Sequence, residues 1–178
     1  YSDGSGDNLR KKRRPNQPPA RAGWGFAVLR HGDGMADDNA QCTYKAWGPV
    51  ATDPNDDYSI GAERGTNNTA EPRALAPALS CALTCDPDHD APLLLRYDST
   101  YAANVMTGKW LPAANKKLAL HVNKLWRKAS TKLRGQLWCT HVRSHQGHMW
   151  NDEVDELANR GRLHGRGAQG SDRLGHDQ

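Results

Sequence analysis

Pro92-Leu-Leu-Leu-Arg-Tyr97 is a short apolar run that stops abruptly at Asp98. It lacks the length of a helix and the polar alternation of a half-buried strand, so it reads as a strand covered on both faces. Such a strand commits the chain to a layered α/β fold, with helices packed above and below a sheet. Its end adds a second constraint. An ionised carboxylate at the mouth of a buried strand is costly unless a cation or a hydrogen-bond donor meets it.

The flanking pattern supplies the layers. Tyr1 to Ser5 reads as the end of a strand, and residues 6–22 form a loop of Gly, Pro, Asn and basic side chains. Gly23 to Arg30 reads as a strand, with the alternating Gln41 to Gly48 antiparallel to it. Residues 49–65 are turn-rich, and a short extended piece is expected at Tyr58 to Ala62. Thr66 to Leu83 is rich in Ala and Leu and reads as a helix. Pro72 and Pro77 should kink it, because each removes a backbone hydrogen bond. A brief helix is expected over Ser99 to Met106. Leu118, Val122, Leu125, Trp126 and Ala129 recur at helical spacing within Asn115 to Lys132. Gln136 to Val142 is a last strand, and Asn151 or Asp152 caps a final helix. Residues 1–161 thus form one domain, and 162–178, where Gly and charge dominate without a period, read as a disordered tail.

Composition narrows the function. A formal net charge of +4 favours a polyanionic partner, and Lys11, Lys12, Arg13 and Arg14 form the densest basic run. Cys81 and Cys85 lie in an apolar helical pattern and read, with Cys42 and Cys139, as free thiols. No apolar run reaches transmembrane length and no secretion signal opens the chain, which suits an intracellular protein, cytoplasmic or nuclear. The absence of an initiator Met suits a processed product or a domain of a longer polypeptide. No Gly-x-Ser-x-Gly elbow offers a covalent nucleophile. Cys139, His141, His145 and His148 crowd together, but their spacing is unlike zinc motifs. His141 reads instead as a partly buried strand residue and His148 as a loop organiser.

Three further acids stand in settings of their own. Asp3 ends the first strand, Glu71 lies about a turn and a half into its helix, and Asp155 falls in the first turn of the last helix, where the dipole favours it. In an α/β sheet the functional crevice lies off the strand ends. Gathered there, four carboxylates would be too negative to coexist without divalent cations. On a net basic protein, such a pocket points to phosphate chemistry on a nucleic acid.

Six local sequences stand out, four of them carrying these acids: Tyr1-Ser2-Asp3-Gly4-Ser5, Gly23-Trp24-Gly25-Phe26-Ala27, Thr66-Asn67-Asn68-Thr69-Ala70-Glu71, Tyr97-Asp98-Ser99-Thr100-Tyr101, His145-Gln146-Gly147-His148 and Asn151 through Ala158. In this order the chain resembles type 1 ribonuclease H over roughly residues 1–161. The resemblance implies a mixed five-stranded sheet flanked by helices, its first three strands antiparallel and its last two parallel to the first. It also implies that Asp3, Glu71, Asp98 and Asp155 hold two Mg2+ ions, with Mn2+ able to substitute. One ion would activate the attacking water and the other would stabilise the leaving 3' oxygen. His145 matches a mobile histidine that moves protons or releases product. Asn67, Asn68 and Gln146 match residues that read the minor groove and the RNA 2'-OH, with Ser5 and Thr100 as further contacts. The implied reaction is endonucleolytic cleavage of the RNA strand of an RNA–DNA hybrid, leaving 5'-phosphate and 3'-OH ends. The implied enzyme is a monomer or one part of a larger polypeptide.

The chain departs from that family in several places. Pro72 and Pro77 interrupt a helix that is usually continuous, the loop at 6–22 is longer and more basic, and 49–64 look inserted. The substrate-gripping basic protrusion of some members shrinks to about Thr107 to Lys117, where Lys109, Trp110, Lys116 and Lys117 stand in, Trp110 either stacking on a DNA sugar or anchoring the next helix. Alternative readings are a non-cleaving nucleic-acid-binding module, a transposase or integrase core, and the ribonuclease H domain of a reverse-transcribing element's polyprotein. Lys11 to Arg14 leave the strand beside Asp3 and are expected to contact the hybrid backbone. Changing all four to Ala should weaken hybrid binding and flatten its dependence on salt, measured as the slope of log affinity against log salt; an unchanged slope would count against the contact.

Overall fold

A computed structural model of the chain describes residues 1–7, 21–30, 36–84, 91–143 and 146–170. Strands β1 (Ser2–Gly6), β2 (Ala22–Arg30) and β3 (Gln41–Pro49) precede helix α1 (Asn67–Thr84). Then follow β4 (Leu93–Tyr97), α2 (Thr100–Thr107), α3 (Lys116–Lys132), β5 (Leu137–His141), α4 (Met149–His164) and β6 (Gly167–Gly170). The strands form one sheet in the order β5-β4-β1-β2-β3-β6. β1 pairs antiparallel with β2 and parallel with β4, and β5 runs parallel to β4, as the family resemblance implies. The pattern does not predict β6. Its Gly-Ala-Gln-Gly sequence has no apolar alternation, and antiparallel pairing with β3 holds it. The sheet is therefore six-stranded. With α4 running to His164, the order extends into residues expected to be a tail; 171–178 lie outside the described residues. Among the described residues, no helix is long and apolar enough to cross a membrane.

Helices α1, α2 and α3 pack together on one face, over Trp24, Phe26, Leu75, Leu79, Met106, Leu118 and Val122. α4 covers the other face through Val154 and Leu157 against Ala27. That cover stops short of β4 and β5. Leu94 is 45% exposed and Trp138 53%, so the apolar run is enclosed on one face only, contrary to its sequence reading. They line an open groove with parts of β2 and β4.

Both internal prolines are accommodated. α1 runs unbroken through Pro72 and Pro77. Burial of Ala70, Ala74, Leu75 and Leu79 along it outweighs the ~3 kcal/mol that a proline inside a helix costs. Residues 58–62 form bends and turns rather than an extended piece. α4 begins before the expected caps, with His148 at its N-cap and Asn151 buried inside its first turn. Asp155 consequently sits in the second turn, where the helix dipole helps it less. Cys42 and Cys139 are free, but Cys81 is disulfide-bonded, against the free-thiol reading; Cys85 lies outside the described residues.

Gly4 fixes the distance between β1 and α1. A Cβ there would lie 2.2 Å from the backbone carbon of Ala70 and 2.3 Å from the amide nitrogen of Glu71. Only glycine lets the strand meet the helix at the step before Glu71. Gly4→Ala should cost about 2–3 kcal/mol, as overpacking against rigid backbone does, measured as a lowered urea midpoint at unchanged slope. A wild-type midpoint would show that the contact is looser than described.

Candidate active site

Strand pairing brings the first two acids together. Ser2 lies in register with Tyr97, so Asp3 on β1 stands beside Asp98, one residue beyond β4. Asp3 is 5% exposed, and its Oδ1 accepts a 2.6 Å bond from the Gly4 amide. The close approach of α1 over Gly4 then swings Glu71 in from above. Asp3, Glu71 and Asp98 each offer a carboxylate oxygen within 4.8 Å of the others. Asp155, from α4, lines the same cleft with Gly4, Ser5, Gly6, Asn67, Asn151 and Asp152. The cleft is open and small, about 270 Å³.

Asp98 is steadied through its backbone. His141 Nε2 lies 2.9 Å from the Asp98 carbonyl, and because a carbonyl only accepts, that nitrogen carries the proton. The His141 ring also meets Tyr97 edge-on at 5.9 Å, and it is exposed rather than partly buried. Among the described residues, no group of three side chains that could hold a metal ion includes Cys139 or His141, so the structure gives no zinc cluster there.

The electrostatics are those of a site built for cations. Burial pushes the Asp3 carboxyl up to about 8, and the Asp98 charge adds to this. Burial likewise raises Glu71 to about 10, helped by Asp3, Asp98 and Asp155. The donors are all oxygens, the set that a hard divalent cation takes. Asn151 Oδ1 fits the same purpose, being buried at the cleft wall without a hydrogen-bond partner among the described residues. Such an acceptor suits the hydration shell of a bound cation.

The other predicted residues distribute unevenly. Ser5 and Asn67 line the cleft, but both are engaged: Ser5 Oγ donates to Asn159 Oδ1 at 2.7 Å, and Asn67 Oδ1 accepts from the Gly6 amide at 2.6 Å. Asn68, Thr100 and Gln146 are exposed and fall outside the cleft lining. Trp110 is 53% exposed and tilts against Tyr101 of α2, with ring centroids 6.3 Å apart. His145 and Lys11 to Arg14 lie outside the described residues. Sequence reasoning missed Asn151 and Asn159. Asn159 stands four residues after Asp155, the spacing that stacks side chains on one helix face, so helical periodicity held the signal.

The ribonuclease H family model matches residues 16–162. The chain belongs to the ribonuclease H family. Among curated proteins, no sequence matches it. Solved structures do. A ribonuclease H1 isolated from compost by a metagenomic approach superposes with a TM-score of 0.55 at 21% identity, covering 91% of this chain and 92% of that one. The foamy viral protease–reverse transcriptase in complex with double-stranded DNA gives 0.56 at 19% identity, covering 92% of each chain. The PFV ribonuclease H domain gives 0.55 at 20%, covering 91% and 92%. At these identities the likeness establishes the ribonuclease H fold.

The raised carboxyls predict how stability depends on pH. Their ordinary values are 3.8 and 4.5. A carboxyl that holds its proton more tightly when folded supports the fold while protonated. That support is complete below about 4 and is lost as pH rises, through about 8 for Asp3 and about 10 for Glu71. In EDTA, the contribution of these groups should lower the melting temperature across that window. The gain from added Mg2+ should grow with pH, because protons compete with the ion. A Mg2+ gain that does not change with pH would contradict the site described.

Proposed function

We propose that this ribonuclease H-family chain is an endoribonuclease that hydrolyses the RNA strand of RNA–DNA hybrids and leaves 5'-phosphate and 3'-OH ends. The observation that carries the reading is the convergence of Asp3, Glu71 and Asp98 within 4.8 Å in an open cleft on a net basic protein. Together with Asp155 they would hold two Mg2+ ions, with Mn2+ able to substitute. Bound there, the ions would activate a water and stabilise the leaving 3' oxygen of an in-line displacement.

The chain's own groups do the rest. Asp3 and Glu71, whose burial and neighbouring charges favour the proton, would release it to hold the ions. His141 keeps Asp98 in place through its backbone carbonyl. Asn67 at the cleft, with the exposed Asn68 and Gln146, supplies amides suited to the minor groove and the RNA 2'-OH, the group that separates RNA from DNA. Exposed Trp110 offers a ring face for a sugar or base. His145 is assigned proton movement by its match to the family motif.

The test is a cleavage assay with Mg2+ on matched RNA–DNA, RNA–RNA and DNA–DNA duplexes, with Asp98→Asn as control. Only the hybrid should be cut, and only in its RNA strand. Asp98→Asn should lose more than the roughly 100-fold that removing a supporting residue costs at a metal site. Hybrid binding without cleavage would favour a non-cleaving module, and activity surviving in Asp98→Asn would refute the ligand assignment.

A further inference from the structure

Asp155 reaches the cleft from α4, outside the trio of acids that β1, α1 and β4 draw together. Its side chain meets Asn159, one helical turn later. Asn159 Nδ2 donates to the Asp155 carbonyl at 3.1 Å and lies 3.4 Å from Asp155 Oδ1. On the other side, Asn159 Oδ1 accepts from Ser5 Oγ at 2.7 Å and from Arg162 Nη2 at 3.3 Å. Arg162 is itself held by Asp7, whose Oδ1 lies 2.9 Å from Nη1.

This arrangement fixes which way the Asn159 amide points. A guanidinium only donates, so the atom it meets must be the amide oxygen. A carbonyl only accepts, so the atom facing the Asp155 carbonyl must be the amide nitrogen. Reversing the amide would set two donors against each other at Arg162 and two acceptors against each other at Asp155. Ser5 lies two residues after Asp3 on the same strand and so shares its face. Asn159 therefore ties α4, which carries Asp155, to β1, which carries Asp3.

We infer that Asn159 is a positioning residue that fixes the Asp155 carboxylate for cation binding, with its own orientation set by Ser5 and by Arg162 braced on Asp7. The inference rests on the proposed role of Asp155 as a metal ligand. It adds that the affinity of this ligand is set by a polar relay rooted in β1.

The test is a titration of the protein alone with Mn2+, followed by calorimetry, for wild type, Asn159→Leu and Asp155→Asn. Asn159→Leu removes the amide while keeping the branched shape and should weaken binding at one site by about tenfold or more, the usual cost of losing a supporting group. Ser5→Ala is the second route if Asn159→Leu does not fold, with a smaller loss in the same direction. Wild-type affinity in Asn159→Leu, or in Ser5→Ala where that variant takes its place, overturns the inference provided that Asp155→Asn is weakened. Wild-type affinity in Asp155→Asn overturns both the inference and the ligand assignment beneath it.

Discussion

Carboxylates within 4.8 Å of one another repel, and the fold has to hold them against that force. It does so mainly with backbone. β1 and β4 lie side by side in fixed register and α1 rests directly on Gly4, contacts that cannot relax without moving a strand or a helix. The His141 side chain adds a bond to the Asp98 carbonyl. The repulsion therefore surfaces as a preference for protons, seen in the raised values of Asp3 and Glu71. A divalent ion relieves the same repulsion more completely than a proton does.

The core beneath the site explains why the scaffold stays rigid. Trp24 and Phe26 stack at 6.3 Å under α1, and fully buried Leu75, Leu79, Met106 and Leu118 fill the space between the helices. Arg73 is an exception. It is buried over the Trp24 ring at 5.3 Å, and burial lowers its affinity for a proton to about 10. A cation–π contact offsets part of that cost. α1 thus carries Glu71 and a buried cation two residues apart, one facing the cleft and the other the core.

The strands and the local settings of the acids were readable in the sequence because they rest on local signals, whereas the arrangement of the strands in the sheet followed from the family resemblance. Asp98 ends an apolar run, Asp3 ends a strand before glycine, and Glu71 follows a polar helix start. The misreadings came where local signals were weak or where contacts are long-range. β6 is four residues held by pairing alone, so nothing in its side chains announces it. Burial of Asn151 moves the start of α4 away from the residues that looked like caps. Asn159 means little until Ser5, 154 residues away in sequence, is brought against it. The exposed face of Leu94 and Trp138 follows from how far α4 reaches, which an apolar run cannot report.

β6 has a consequence beyond completing the sheet. A long open strand edge is a template on which another chain can add itself. Gly167–Gly170 covers the Tyr44–Trp47 stretch of β3, and among the described residues it leaves in its place an edge only four residues long. A short edge offers fewer backbone hydrogen bonds to a neighbour than the stretch it covers. The glycine-rich end of the sheet thus shields the strand beneath it with residues that contribute almost nothing to the core.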